Sequence, residues 1–443
     1  MPATLIPVAA ETTLLERLQD ARRRTDELFA IVKRESLYER PIPERHRIIF
    51  YIGHLEAFDW NLLSERSFGQ KPFQPHLDRL FAFGIDPVGG GLPDDRPSDW
   101  PRLEEVQSYA SRIRQILDSK IANSSGRSSA GEFPLPLLLN VAIEHRLMHA
   151  ETLVYMLHQL AFGHKINPGK GSTDQQTGLV SQQMMEIPAG TATLGLRRSD
   201  EAFGWDNEYE ICSVDVSAFV IDKFEVTNGQ YLDFLRAEGY ETRSFWNDDD
   251  WEWRAKNGVS NPVFWRRNSD RWFYRGMFAD EPLPLNAPVY VSLAEARAYA
   301  TWAGKDLPTE AEWHRAAYAD RTSEERAYPW GDAEPTGGLG NFNFTEWNPL
   351  PVNAFPAGES AFGVADMLGN GWEWTSTTFA PLPGFKAFPF YAGYSADFFD
   401  GKHFVIKGGS PRTAACMLRR SFRNWFQPHY QYVYAGFRCV QRG

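Results

Sequence analysis

His145 and His149 stand four residues apart in LPLLLNVAIEHRLMHAETLVYMLHQLAF, a run long and apolar enough to form one helix. That spacing puts both imidazoles on one face about one turn apart, as a shared metal ion requires. An HxxxH pair alone is more often polar decoration than a ligand set, and a third donor changes the odds. His54 is a candidate, because it lies in IIFYIGHLEAFDW, where burying an imidazole without a partner is costly. Three neutral nitrogens with no thiolate suit zinc, iron or copper, and they leave coordination positions open for substrate and oxygen. A zinc protease needs HExxH with Glu as general base. Here Arg146 stands at that place and Glu144 precedes His145, which disfavours hydrolysis by that route.

Positioning three such donors requires helices that share a core. From Glu11 to about Leu160 the chain carries helical periodicity with few breakers, and it reads as four long amphipathic helices in an antiparallel bundle. In such a bundle the second and fourth helices can face one core, and His54 would then converge with His145 and His149. GIDPVGGGLPDDRPSDWP and NSSGRSSAGEFP read as loops, with Ser98 or Asp99 expected to cap the third helix and Pro101 in its first turn. A polar, glycine-bearing stretch follows. The domains are therefore placed at 1–165 and 184–443, with a linker at 166–183.

The second half has a different grammar of short alternating runs, Gly-rich and Trp-rich loops, and two convincing helices, NGQYLDFLRAEG and SLAEARAYATWAG. LPTEAEWHRAA reads as a further capped helix, with Thr309 as N-cap and Glu312 closing a capping box. The fold class is α+β, a helical bundle followed by a loop-rich mixed domain.

At 443 residues, two domains are expected rather than one core. Lys and Arg total 46 against 57 Asp and Glu, a formal charge of -11 that argues against general nucleic-acid binding. No stretch approaches the length of a membrane span. Three cysteines, none in a CxxC pair, and an N-terminal stretch without a basic n-region point to a cytoplasmic protein with reduced thiols.

GHLEAFDW and HRLMHAE resemble the DinB-like helical domain of the ergothioneine-biosynthesis sulfoxide synthases, and the loop RLFAFGIDPVGGGLPDDRPSDWP looks closer to branches of that family other than the mycobacterial one. The second half resembles the C-type-lectin-like, formylglycine-generating-enzyme-like domain attached to it in that family. The phrases that carry this likeness are PAGTATLG, EVTNGQY at 225–231, AYATWAGKDLPTEAEWHRAA at 298–317, DMLGNGWEWTST at 366–377, KGGS at 407–410, SFRNW at 421–425 and AGFRC. The resemblance covers roughly residues 11–441. It implies that His54, His145 and His149 hold one Fe(II), and that the enzyme uses O2 to join a thiol sulfur to the imidazole carbon of hercynine, giving a sulfoxide.

The resemblance also implies that Asn424, Trp425 and Phe426 line the substrate site. An indole face attracts a quaternary ammonium that cannot hydrogen-bond, as hercynine carries. In PFYAGYS it points to Tyr391 as the phenol that gives a proton to reduced oxygen, with Tyr394 as the alternative. Members that use γ-glutamylcysteine tend to carry an Asp and an Arg where Phe426 and Tyr430 stand here. Cysteine or another small thiol is therefore expected, with selenoneine-type C–Se coupling or ovothiol-type coupling on unmethylated histidine as alternatives. Met148 stands where many members carry Gln. Formylglycine generation needs a close cysteine pair after GGS, and only Cys416 lies there. A binding module without chemistry is the remaining rival, against which the three retained histidines argue.

Overall fold

The computed structural model describes residues 12–82, 94–124, 132–169, 180–200 and 202–443. By contacts the chain divides into two compact units, residues 1–153 with 159–166, and residues 154–158 with 167–443. The expected linker and the two expected bundle loops fall partly outside the described residues.

The first unit is helical: α1 (Leu14–Ala30), α2 (Ile48–Phe68), the short α3 (Pro75–Leu80), α4 (Leu103–Ala122) and α5 (Leu135–Gln159). In α1 a capping box fixes the start, the Thr13 hydroxyl accepting from Glu16 N–H at 3.2 Å while the Glu16 carboxylate accepts from Thr13 N–H at 2.7 Å. Its buried Leu18, Ala21, Thr25 and Leu28 follow the helical period, as do Leu103, Val106, Ile113 and Leu117 of α4.

Two expectations need correcting. α2 and α5 are not amphipathic: residues 48–60 are buried apart from half-buried Ile52 and Phe58, and residues 141–153 apart from Met148. A helix apolar on every side must be enclosed on every side, and these two form the centre of their unit. Neither Ser98 nor Asp99 caps α4. It starts at Leu103 after Arg102, four residues beyond Asp99 and out of side-chain reach; Asp99 instead closes a 3-10 turn, its carboxylate accepting from Arg96 N–H at 2.7 Å.

The second unit holds four small sheets. β1 (Met184–Ile187), β4 (Phe219–Asp222) and β12 (Val440–Arg442) form one in the order β1-β4-β12, and β2 (Gly190–Leu194) pairs with β3 (Cys212–Val216). β5 (Trp265–Asn268), β6 (Arg271–Arg275) and β7 (Asp280–Pro282) form a meander. The fourth has the order β10-β9-β8-β11, from β8 (Gly371–Thr378), β9 (Phe404–Gly409), β10 (Asn424–Phe426) and β11 (Ala435–Gly436). The expected α6 (Asn228–Arg236), α8 (Leu293–Trp302) and α9 (Glu310–Tyr318) are present, and Thr309 and Glu312 form the capping box of α9.

Sequence reading missed α7 (Asp248–Asn257), although its signals are complete: Asn247 as N-cap, three aspartates in the first turn, Arg254 and Lys256 in the last, and Gly258 at φ 63° ending it. Its tryptophans among charges hid the period. The GNGWEWTS phrase serves the scaffold. Gly369 adopts φ 94°, and a Cβ there would stand 2.7 Å from the Asn341 carbonyl oxygen. In β8, Glu373 is clasped by Nε and Nη2 of the Arg438 guanidinium at 2.6 and 2.7 Å, the pair wholly buried.

Candidate metal centre

α2 carries Phe50, His54 and Phe58 at four-residue steps along one face, and α5 carries His145 and His149 at the same step. The aromatic rings seat the imidazoles. Phe50 stacks on His54 at 4.8 Å and 19°, and Phe58 on His145 at 3.4 Å and 11°. His149 Nε2 then lies 3.2 Å from His54 Nε2 and 3.1 Å from His145 Nε2, with one ligand atom of each residue within 4.8 Å of the others. Among the described residues this is the group of metal-binding side chains that converges; Glu151, two residues beyond His149, is buried but lies outside it.

Burial sets the protonation of the three rings, which expose 4%, 3% and 2% of their surface. It pushes the His54 pKa down to about 4 against a weaker opposing hydrogen bond to Phe81, and it drives His145 and His149 well below the usual imidazole value, neighbouring positive charge adding to the effect. His54 Nδ1 donates to the Phe81 carbonyl oxygen at 2.8 Å, which places the proton on Nδ1 and leaves a lone pair on Nε2. The Phe81 ring packs over Gly53, where a Cβ would lie 2.5 Å from the ring carbons.

With its proton on Nδ1, His54 turns a lone pair on Nε2 toward His149, and a cation held among the three Nε2 atoms would take the place of any proton shared between them. A metal bound at about 2.1 Å would space its nitrogens about 3.0 Å apart at right angles or about 3.4 Å apart in a tetrahedron. The two separations made by His149, 3.1 and 3.2 Å, fall within that range, and all three ligand atoms lie within 4.8 Å of one another. The donor chemistry therefore suits a divalent transition metal, with further coordination positions left to other ligands.

The remaining predicted residues lie in the second unit. In β10, Trp425 pairs with Val405 of β9 and is half-buried. Its indole stacks on Phe379 at 4.1 Å and 8°, with Tyr394 edge-on at 5.5 Å and Phe398 at the same distance. Asn424 accepts from Trp425 N–H through its side-chain oxygen at 2.8 Å. Phe426 stacks on Tyr430 at 5.1 Å and 11°. Tyr394 is buried and stacked on Trp205 at 4.0 Å, while half-buried Tyr391 meets Tyr394 at 5.5 Å and Trp205 at 6.4 Å. The alternative tyrosine, Tyr394, thus sets its ring against both Trp205 and Trp425.

Sequence reading missed the Phe81 carbonyl, since a backbone acceptor carries no residue signature. It also missed Phe379 and Trp205, which are remote in the chain from the residues they stack on. No disulfide joins the cysteines: Cys212 is half-buried, Cys416 exposed and Cys439 buried.

Residues 170–443 match the Sulfatase-modifying factor enzyme 1-like domain family, and residues 17–153 the DinB superfamily. The chain is 38% identical over 450 residues to a protein of Mycolicibacterium thermoresistibile named hercynine oxygenase, covering 99% of this chain and 96% of the other. A protein of the same name from Mycolicibacterium smegmatis is 31% identical over 445 residues, covering 97% and 99%. Ergothioneine biosynthesis protein 1 of Neurospora crassa is 29% identical over 503 residues, 93% of this chain and 55% of the fungal one.

Proposed function

Because the chain belongs to the hercynine oxygenase family, we propose that it is an Fe(II)- and O2-dependent sulfoxide synthase of ergothioneine biosynthesis, coupling the imidazole carbon of hercynine to the sulfur of cysteine. The observation that carries this reading is the convergence of three buried, neutral Nε2 atoms in the helical unit of a chain with this ancestry. Ferrous iron, when bound, supplies the dioxygen activation and one-electron chemistry that no side chain provides. His54, His145 and His149 hold it, and Phe50, Phe58 and the Phe81 carbonyl keep two of those rings from turning away.

Trp425 and Asn424 bind hercynine. An indole braced by a parallel phenyl ring 4.1 Å away presents a rigid π surface to a trimethylammonium group, which is attracted to the ring quadrupole and asks for no hydrogen bond. The stacked Phe426 and Tyr430 offer no charge to the glutamyl group of a larger thiol, which favours cysteine. Tyr391 supplies the proton to reduced oxygen, a role suited to a phenol that stays neutral at pH 7. Ferrous iron and a free thiol both persist in a reducing compartment, which supports a cytoplasmic location.

The test is anaerobic reconstitution with Fe(II), then an aerobic reaction offering hercynine or histidine against cysteine, γ-glutamylcysteine and a selenosugar, read by mass spectrometry. The hercynine–cysteine sulfoxide is the expected product. Coupling only on unmethylated histidine, or only to selenium, would reassign the substrate, and thiol oxidation without any coupling would overturn the reading.

A further inference from the structure

Arg146 follows one metal-binding candidate directly and precedes the other by three residues, yet it is fully buried and turned toward α2. Its Nη2 donates to the Leu55 carbonyl oxygen at 3.0 Å and to Asp59 Oδ2 at 2.8 Å. Its Nη1 lies 3.0 Å from Glu56 Oε1 and 3.4 Å from the Thr25 hydroxyl of α1. Leu55 and Glu56 are the two residues after His54. One planar fork on the ligand-bearing turn of α5 is therefore bonded to the ligand-bearing turn of α2.

We propose that Arg146 is a positioning residue for the metal centre, fixing the rise and rotation of α5 against α2 so that the three Nε2 atoms converge. This rests on His54, His145 and His149 being the ligands. A slip of one residue between the helices moves a side chain by about 1.5 Å along the axis and about 100° around it, which no fork to three fixed acceptors survives. Coordination tolerates errors of only about 0.2 Å. Apolar packing specifies such a register loosely, because neighbouring rotamers refill the space, whereas directional bonds to one carbonyl and two carboxylates specify it sharply. The cluster's stabilising worth is a separate matter, since a buried ion group is often replaceable by well-packed hydrophobic side chains of similar volume without loss of stability.

The remaining charges keep partners when the tie is removed: Arg114 bonds Asp26 at 2.7 Å and Arg22 bonds Asp118 at 2.5 Å. This permits a clean test in the full-length protein. Arg146→Lys keeps the charge and loses the fork, and a triple variant, Arg146→Met with Glu56→Gln and Asp59→Asn, removes the tie and its acceptors' charges together. Far-UV circular dichroism and the thermal midpoint are measured on the metal-free proteins, and Co(II) is titrated with its visible absorption recorded.

The triple variant should keep the wild type's helix content and a cooperative thermal transition, its midpoint lowered by the two buried amides. Both variants should bind Co(II) about 10–100-fold more weakly, with an altered absorption spectrum. Wild-type affinity and spectrum in the folded triple variant would overturn the proposal, and so would loss of its helices, because the tie would then serve folding alone. His149→Ala is the reference: if it binds Co(II) as the wild type does, the ligand reading fails, independently of the Arg146 result.

Discussion

Removing one imidazole from the cluster should make the metal-free protein less sensitive to acid. His54 is buried and its pKa is held down at about 4, against a value of 6.5 in the unfolded chain. A base whose pKa is depressed by folding gives stability that is present above the unfolded value and is lost as pH falls, here from about 6.5 down to about 4. Between pH 7 and pH 5 the unfolded chain takes up a proton that the folded site refuses, and for His54 alone this removes about 2 kcal/mol. His145 and His149 act in the same direction. With a urea dependence of about 2 kcal/mol per molar, His54 contributes about 1 M to the fall in unfolding midpoint over that range. The assay is urea unfolding of wild type and His54→Gln at pH 7 and pH 5 in the presence of a chelator, followed by circular dichroism. The variant's midpoint should fall about 1 M less. An equal fall in both proteins, or a wild type that gains stability on acidification, would refute the argument. The second outcome would mean that one proton is shared between the Nε2 atoms of His145 and His149, 3.1 Å apart.

His149→Ala should purify without iron after anaerobic loading, measured by metal analysis; stoichiometric iron in the variant would remove His149 from the ligand set. Trp425→Ala should weaken hercynine binding by roughly tenfold, in keeping with about 1–2 kcal/mol for a desolvated cation–π contact, while cysteine binding changes little in calorimetric titrations. Tyr391→Phe should keep iron and substrate binding, slow coupling and shift the product toward cysteine sulfinic acid; an unchanged product ratio by mass spectrometry would move the role to Tyr394. Arg438→Met strands the buried Glu373 carboxylate and should cost about 3–5 kcal/mol, seen as a lower thermal midpoint of the metal-free protein.

Side chains whose cost of burial can be weighed one at a time were legible before the fold was known. His54 stood out because an apolar helix has no use for a lone imidazole, and it lies beside the HxxxH pair. The start of α9 was legible because a capping box is written within four residues. What stayed hidden depends on backbone atoms or on distant partners. The carbonyl that orients His54 lies 27 residues away, and a carbonyl has no letter of its own. The choice between Tyr391 and Tyr394 could not be read from their three-residue separation, because their surroundings differ through Trp205, nearly two hundred positions earlier. Arg146 was noticed only as the wrong residue for a protease, since its acceptors on α2 are about ninety residues away.

The contact between Gly53 and the Phe81 ring bears on any attempt to improve this protein for use. A glycine inside a long helix is a conventional target for thermostabilisation, and exchange for alanine commonly gains up to about 1 kcal/mol. Here the added methyl group would clash with the phenyl ring of the residue whose carbonyl, three bonds from that ring, holds the neighbouring imidazole. Screening by melting temperature alone would score such a change by its helix term and remain blind to a loosened ligand. A residue that touches no metal and bears no functional group thus belongs among the positions to be held fixed in a library, ahead of many that line the site.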